Sequence, residues 1–148
     1  MPYWLDTNII IHLVRNSQKG KEIELRFGLF NPGQELFISA VSKGELLSFS
    51  KQSVWGKSKM EKLFHLLNRI PSFPIDGAST LMDAYADIDA YSQGKHPIYL
   101  PPAGFSSRNM GKNDLWIAAT AFLLELSRLT TDSDFDHLHP NFIEVHKV

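Results

Sequence analysis

The sequence contains no cysteine, which excludes a disulfide framework, a thiolate nucleophile and any zinc–sulfur centre. It also lacks an apolar run approaching the roughly 20 residues that span a bilayer. The longest apolar stretch, 115–126, is interrupted by Thr120 and Glu125. The opening residues, Met1-Pro2-Tyr3-Trp4-Leu5-Asp6, carry no basic segment followed by an apolar one. No secretory leader is therefore expected, and a soluble, cytoplasmic protein is. A strong bias of charge is missing too, since 15 basic residues stand against 16 acidic ones. That excludes a uniformly basic nucleic-acid coat but not a basic lobe facing an acidic centre. The two halves do differ: residues 1–75 hold ten Lys/Arg and six Asp/Glu, and residues 76–148 hold five and ten.

What remains has the balance of an ordinary globular chain, with 43% hydrophobic and 21% charged residues. A chain of 148 residues suits one domain that needs no covalent staple. No internal repeat or low-complexity segment is evident. Short apolar strands alternate with helices. Tyr3-Trp4-Leu5 reads as a strand stopping at Asp6, with Thr7 as cap of a helix carrying Ile9, Ile10, Leu13 and Val14. A helix over 19–29 and a turn at Asn31-Pro32-Gly33 follow. Leu36-Phe37-Ile38-Ser39 is the second strand, and Ser42 with Glu45 has the spacing of a capping box. A helix over 58–69 precedes an extended piece bracketed by Pro71 and Pro74 and ending at Ile75. Residues 79–92 have helical spacing, with Leu81, Tyr85 and Ile88 in register. A Gly- and Pro-rich loop over 95–113 leads to Asp114, which opens an apolar helix over 115–126. Strands are expected at 128–130 and 142–145. This order predicts an α/β fold, a short, mostly parallel sheet covered on both faces.

Functional groups of open α/β sheets gather at the carboxyl ends of the strands. Asp6 ends the first strand, Glu45 lies about a turn past the second, and Asp132 and Asp134 follow Thr130. Asp114 sits where a helix dipole favours an anion. Each has a plain structural reading as cap, capping-box partner, dipole anion or turn residue. Gathered together, they would repel one another unless some protonate or a cation intervenes. A hard divalent ion such as Mg²⁺, or Mn²⁺ in a similar oxygen site, suits such ligands. It would support hydrolysis of a phosphodiester. A phosphatase with a nucleophilic aspartate wants a second acid two residues on, and Asn8 stands there.

Four segments resemble the motifs of the PIN-domain ribonucleases, especially VapC-type toxins of toxin–antitoxin pairs. They are Leu5-Asp6-Thr7-Asn8, Ser39 to Leu46, Asn113 to Ala121, and Thr130-Thr131-Asp132-Ser133-Asp134-Phe135. They occur in the family's order and span residues 5–135. The resemblance implies a single nuclease domain over 1–148 with a three-layer α/β/α, PIN-like fold. It implies a metal-dependent endoribonuclease using Mg²⁺ or Mn²⁺, and it places Asp6, Glu45, Asp114 and Asp132 as catalytic metal ligands, Asp6 and Asp114 the most direct. Asp134 would assist, and Asn8 and Thr130 would support the cluster. The implied partners are an RNA substrate, a cognate antitoxin and a second copy of the chain. A PIN-fold nuclease of RNA processing without an antitoxin, or a catalytically silent binding domain, is the alternative.

Lys43, Lys57 and Lys59 lie near Phe49 and Trp55, and with Arg108 and Lys112 they are candidates for an RNA path. A charge run is also the usual dress of a solvated helix, and Asp83, Asp87 and Asp89 are read that way. His137 and His139 supply too few ligands for zinc. The chain is longer than a compact toxin of this type, and residues 95–113 are expected to hold the excess and to shape the entrance for RNA.

Overall fold

A computed structural model describes residues 2–73 and 79–148. The elements run β1 (Tyr3–Leu5), α1 (Thr7–Arg15), α2 (Gln18–Phe27), β2 (Leu36–Ser39), α3 (Ala40–Gln52), α4 (Lys57–Arg69), β3 (Ser72–Phe73), α5 (Ser79–Ser92), α6 (Lys112–Leu123), β4 (Ser127–Thr130) and β5 (Val145–Lys147). The strands form one sheet in the order β3-β2-β1-β4-β5, and every pairing is parallel. Parallel neighbours need crossovers, which the helices provide.

Alternation along the strands builds two cores. Trp4 faces α5 and α6, packing with Ile88, Ala118 and Phe135. Leu5 and Leu129 face the opposite way, against Ile10, Leu46 and Leu63 of α1, α3 and α4. The result is the expected α/β/α sandwich. Among the described residues no helix is long and apolar enough to cross a membrane.

Several boundaries differ from the sequence reading. The cap of α1 is Asp6, whose Oδ1 accepts from the Thr7 amide at 2.8 Å. The cap of α3 is Ser39, whose Oγ accepts from the Ser42 amide at 2.8 Å, so no capping box forms at Ser42. In both cases the strand ends where expected and the helix starts earlier, capped by the polar residue at the strand's end. Helix α6 begins at Lys112 and ends at Leu123, so Asp114 is its third residue and the preceding loop is shorter than expected. Glu125, at φ +52°, then turns the chain into β4. Phe142 and Ile143 are buried in the α5–α6 core rather than paired, and the last strand starts at Val145. Pro74 and Ile75, expected to close the third extended piece, lie outside the described residues. Asp87 is more than a solvated charge: its Oδ1 lies 2.9 Å from His96 Nε2, while His96 Nδ1 accepts the amides of Ile98 and Tyr99 at 3.1 and 3.0 Å. That clamp ties the start of the long loop to α5.

The α1–α2 hairpin closes on a glycine. A Cβ at Gly20 would stand 2.4 Å from the backbone oxygen of His12. Gly20→Ala is expected to cost about 1–3 kcal/mol as the helices are pushed apart, read as a lower urea midpoint at unchanged slope.

Candidate active site

Because β1 and β4 are adjacent and parallel, their carboxyl ends deliver side chains to one place. The Asp6 amide donates to Leu129 O at 3.1 Å. Beyond it, the Thr130 hydroxyl donates to Asp6 Oδ2 at 2.6 Å and accepts from the Asp132 amide at 2.9 Å. Asp132 Oδ1 in turn accepts from the Asp134 amide at 3.1 Å, an Asx-type turn that fixes both acids. From the other side, the Thr7 hydroxyl donates to Glu45 Oε2 at 3.1 Å. Glu45 is free for this because it is not engaged in a capping box. Asp114 completes the group from the first turn of α6.

Arg128 lies beneath these acids. It shares its side of β4 with Thr130, two residues on, and is wholly buried. Its Nη2 stands 2.8 Å from Asp6 Oδ1, its Nη1 lies 3.4 Å from Leu5 O, and its guanidinium lies over the Phe135 ring at 4.8 Å. Neither its Nε nor its Nη2 makes a hydrogen bond, so its tie to Asp6 is one of charge. Burial pushes its pKa down, and the charges of Asp6, Asp114, Glu45 and Asp132 push it back up. Sequence reasoning missed this residue. The available signal was a basic residue inside a short strand, on the same side as Thr130.

Asp114 is half-buried, and its pKa is raised to about 6, first by burial and then by Asp134, Asp6 and Asp132, with Arg128 opposing. Asp134 is also raised, by desolvation and then by Asp132. The cluster thus carries more negative charge than Arg128 balances. Its donors are carboxylate oxygens, the set that hard cations prefer. Among the described residues, however, no three acidic or histidine side chains converge as a finished metal cage.

The supporting candidates are spread around this centre. Exposed Asn8 lines a groove of about 380 Å³ with Thr7, Ile11, Glu45 and Phe49. Arg108 borders a recess of about 110 Å³ with Gly111, Asp114 and Asp134, and its Nη1 donates to Ser133 O at 3.0 Å. Lys112 is exposed at the start of α6. Lys43 is exposed on α3, Lys59 lies 5.8 Å over the Trp55 ring, and Lys57 makes a loose 3.9 Å pair with Glu61. The two histidines turn to different partners: His137 Nε2 lies 2.7 Å from Ser92 Oγ, and His139 Nδ1 accepts from the Val145 amide at 3.1 Å. A recess of about 630 Å³ lies between the end of α6 and residues 142–144 and touches none of the acidic candidates.

With four segments delivering acids to one sheet edge, the profile of the PIN domain matches residues 3–139. The chain belongs to the PIN domain family. Solved structures share this PIN fold along nearly the whole chain. VapBC2 from Rickettsia felis, bound to a DNA fragment from its promoter, is 19% identical with a TM-score of 0.72, covering 100% of this chain and 99% of that one. VapBC-1 from nontypeable Haemophilus influenzae is 24% identical with a TM-score of 0.68, covering 99% and 98%. VapBC-5 from Mycobacterium tuberculosis, of the VapBC family of toxin–antitoxin systems, is 21% identical with a TM-score of 0.62, covering 99% and 98%. No curated protein sequence matches this PIN domain.

Proposed function

We propose that this PIN domain, over 1–148, is the toxin of a toxin–antitoxin pair and acts in the cytoplasm as a Mg²⁺- or Mn²⁺-dependent endoribonuclease. The observation that carries the reading is the gathering of Asp6, Glu45, Asp114, Asp132 and Asp134, with Asp114 raised to about 6. A domain kept only for binding has no reason to crowd carboxylates at such electrostatic cost. The toxin assignment is supported by the fold shared with VapBC structures. Ile98 and Leu100, 76% and 77% exposed in the long loop, offer apolar surface for a protein contact, whether an antitoxin or a second copy.

In this reading Asp6, Glu45, Asp114 and Asp132 would hold the ion, with Asp134 assisting. A divalent ion held there would supply Lewis-acid polarisation of a phosphoryl oxygen and a lowered pKa for an attacking water. Thr130 fixes the rotamer of Asp6 through the 2.6 Å hydrogen bond, and Thr7 does the same for Glu45. Arg108 and Lys112 flank the approach from the α6 side and offset the charge of an entering phosphate. The test is cleavage of a mixed RNA pool by the purified chain with Mg²⁺, with Mn²⁺ and with chelator. Cleavage that chelator stops is expected; cleavage that persists in chelator overturns the metal mechanism, and no cleavage under either metal overturns the nuclease.

Lys43, Lys57 and Lys59 would extend the path along α3 and α4 towards Trp55. Reversing Lys57 and Lys59 to glutamate is expected to weaken RNA binding and to flatten the plot of log affinity against log salt by about 1.4 to 1.8 for two lost phosphate contacts. An unchanged slope removes these lysines from the path.

A further inference from the structure

We infer that Ser92, the last residue of α5, is a positioning residue that sets two acid-bearing loops against each other: the segment leading to Asp114 and the turn holding Asp132 and Asp134. The inference rests on the nuclease reading above and names what would keep the two halves of that site in register. Ser92 is wholly buried and touches both loops. Its backbone oxygen accepts the Arg108 amide at 2.6 Å, and its Oγ donates to Met110 Sδ at 3.2 Å. Gly111 follows and caps α6, whose third residue is Asp114. On the other side, Ser92 Oγ lies 2.7 Å from Nε2 of His137, in the short helical turn Asp136–Leu138 just past the acidic turn.

The protons in this chain can be placed. A serine hydroxyl has one proton to give. With that proton on the Met110 sulfur, Ser92 Oγ accepts from His137, so Nε2 carries the ring's hydrogen. His137 Nδ1 is buried with no hydrogen-bond partner among the described residues, so a second proton there would be stranded. Burial, and then the charge of Arg108, accordingly push the ring's pKa down to about 4. A neutral relay of hydrogen bonds thus runs from one loop to the other through the end of α5. The loops meet again at the surface. Arg108 Nη1 donates at 3.0 Å to Ser133 O, the carbonyl between Asp132 and Asp134, and Asp114 and Asp134 line one recess of about 110 Å³. Arg108 is exposed, so that outer tie competes with water, whereas Ser92 is closed to it. Acids that act together must hold their geometry to about 0.5 Å, and the buried serine is placed to do that for acids from two separate loops.

The test combines amide hydrogen exchange with cleavage kinetics on the intact chain, for Ser92→Ala, His137→Leu and His137→Gln. Exchange is expected to quicken across the serine. The Arg108 amide should exchange about fivefold faster in His137→Leu, although that substitution lies on the other loop, and the Asp134 amide about fivefold faster in Ser92→Ala, the effect of about one hydrogen bond. The Asp6 amide, bonded to Leu129 O in the sheet, should change less. On one RNA that the wild-type chain cuts, His137→Leu should lower kcat per folded molecule by about 10- to 100-fold and leave KM within about twofold. His137→Gln, whose side-chain amide reaches the place of Nε2, should restore both kcat and slow exchange. Should Ser92→Ala not fold, the two His137 variants decide. Exchange at Arg108 that His137→Leu leaves unchanged, an equal rise at Asp6, a loss in KM alone, or His137→Gln no better than His137→Leu overturns the inference. A wild-type chain that cuts no RNA overturns the nuclease reading, and the exchange rates then decide whether Ser92 couples the loops.

Discussion

Asp6→Ala is expected to destabilise the folded chain by about 3–5 kcal/mol, the range for removing one partner of a buried ion pair. The large effect comes from what is left behind. Arg128 is wholly buried and would lose the carboxylate 2.8 Å away. The Thr130 hydroxyl and the Thr7 amide lose their acceptor as well, and α1 loses its cap. Asp6→Asn keeps a hydrogen-bonding oxygen and should lose less. Combining Asp6→Ala with Arg128→Met removes the stranded charge and should recover much of the loss, as a coupling well above the few tenths expected of independent sites. Urea denaturation of the four chains measures the cycle. A loss under 1 kcal/mol for Asp6→Ala would mean that Arg128 does not depend on it. Loss of RNA cleavage by Asp6→Ala is therefore ambiguous unless the folded fraction is measured in the same tube.

Asp114→Asn should do the opposite to stability while sharply lowering activity. An ordinary aspartate in the unfolded chain ionises near pH 4, and Asp114 in the folded chain does so near 6. Between those values the folded chain holds a proton that the unfolded chain has released. Stability then falls as pH rises from about 4 to 6, and the deficit is fully present above 6. Asparagine carries no charge and escapes it. Without metal, Asp114→Asn should melt higher than wild type at pH 7.5, and the gain should vanish at pH 4 and below. His137 tilts both curves the other way, because burial and then Arg108 lower its pKa to about 4 and stability falls as pH drops from 6.5 to 4. The difference between variant and parent at each pH removes that contribution. Cleavage should fall by about 100-fold or more, the upper end of what disturbing a ligand's surroundings alone costs. An unchanged difference across pH would place the charge strain elsewhere.

The two acids are alike in sequence and opposite in role because Arg128 faces them unequally. It sits directly on Asp6 and stabilises its charge. It acts on Asp114 at longer range, where burial and three acidic neighbours outweigh it. Glu45 is held by Thr7 and Asp132 by its turn, so strain falls on the acid without such a partner in the site.

The sequence by itself determined the order of strands and helices, the α/β/α class and the chain positions of the four acidic segments. Those follow from short-range rules, namely apolar blocks of strand length, helical spacing and polar residues at strand ends. It placed the caps of α1 and α3 at Thr7 and Ser42 rather than Asp6 and Ser39, because several polar residues at each strand end can cap and the choice among them depends on backbone held from far along the chain. Asp6 is held to the sheet by Leu129 O, and Ile38 by Pro71 O. Only the tertiary structure decided the electrostatics of the site. Thr130 reaches Asp6 across 124 residues of chain, and Arg128 does so from the same strand, a proximity that no local pattern encodes. Whether an aspartate is a settled partner or a strained one depends on which charges the fold brings within a few ångströms and how much water it removes.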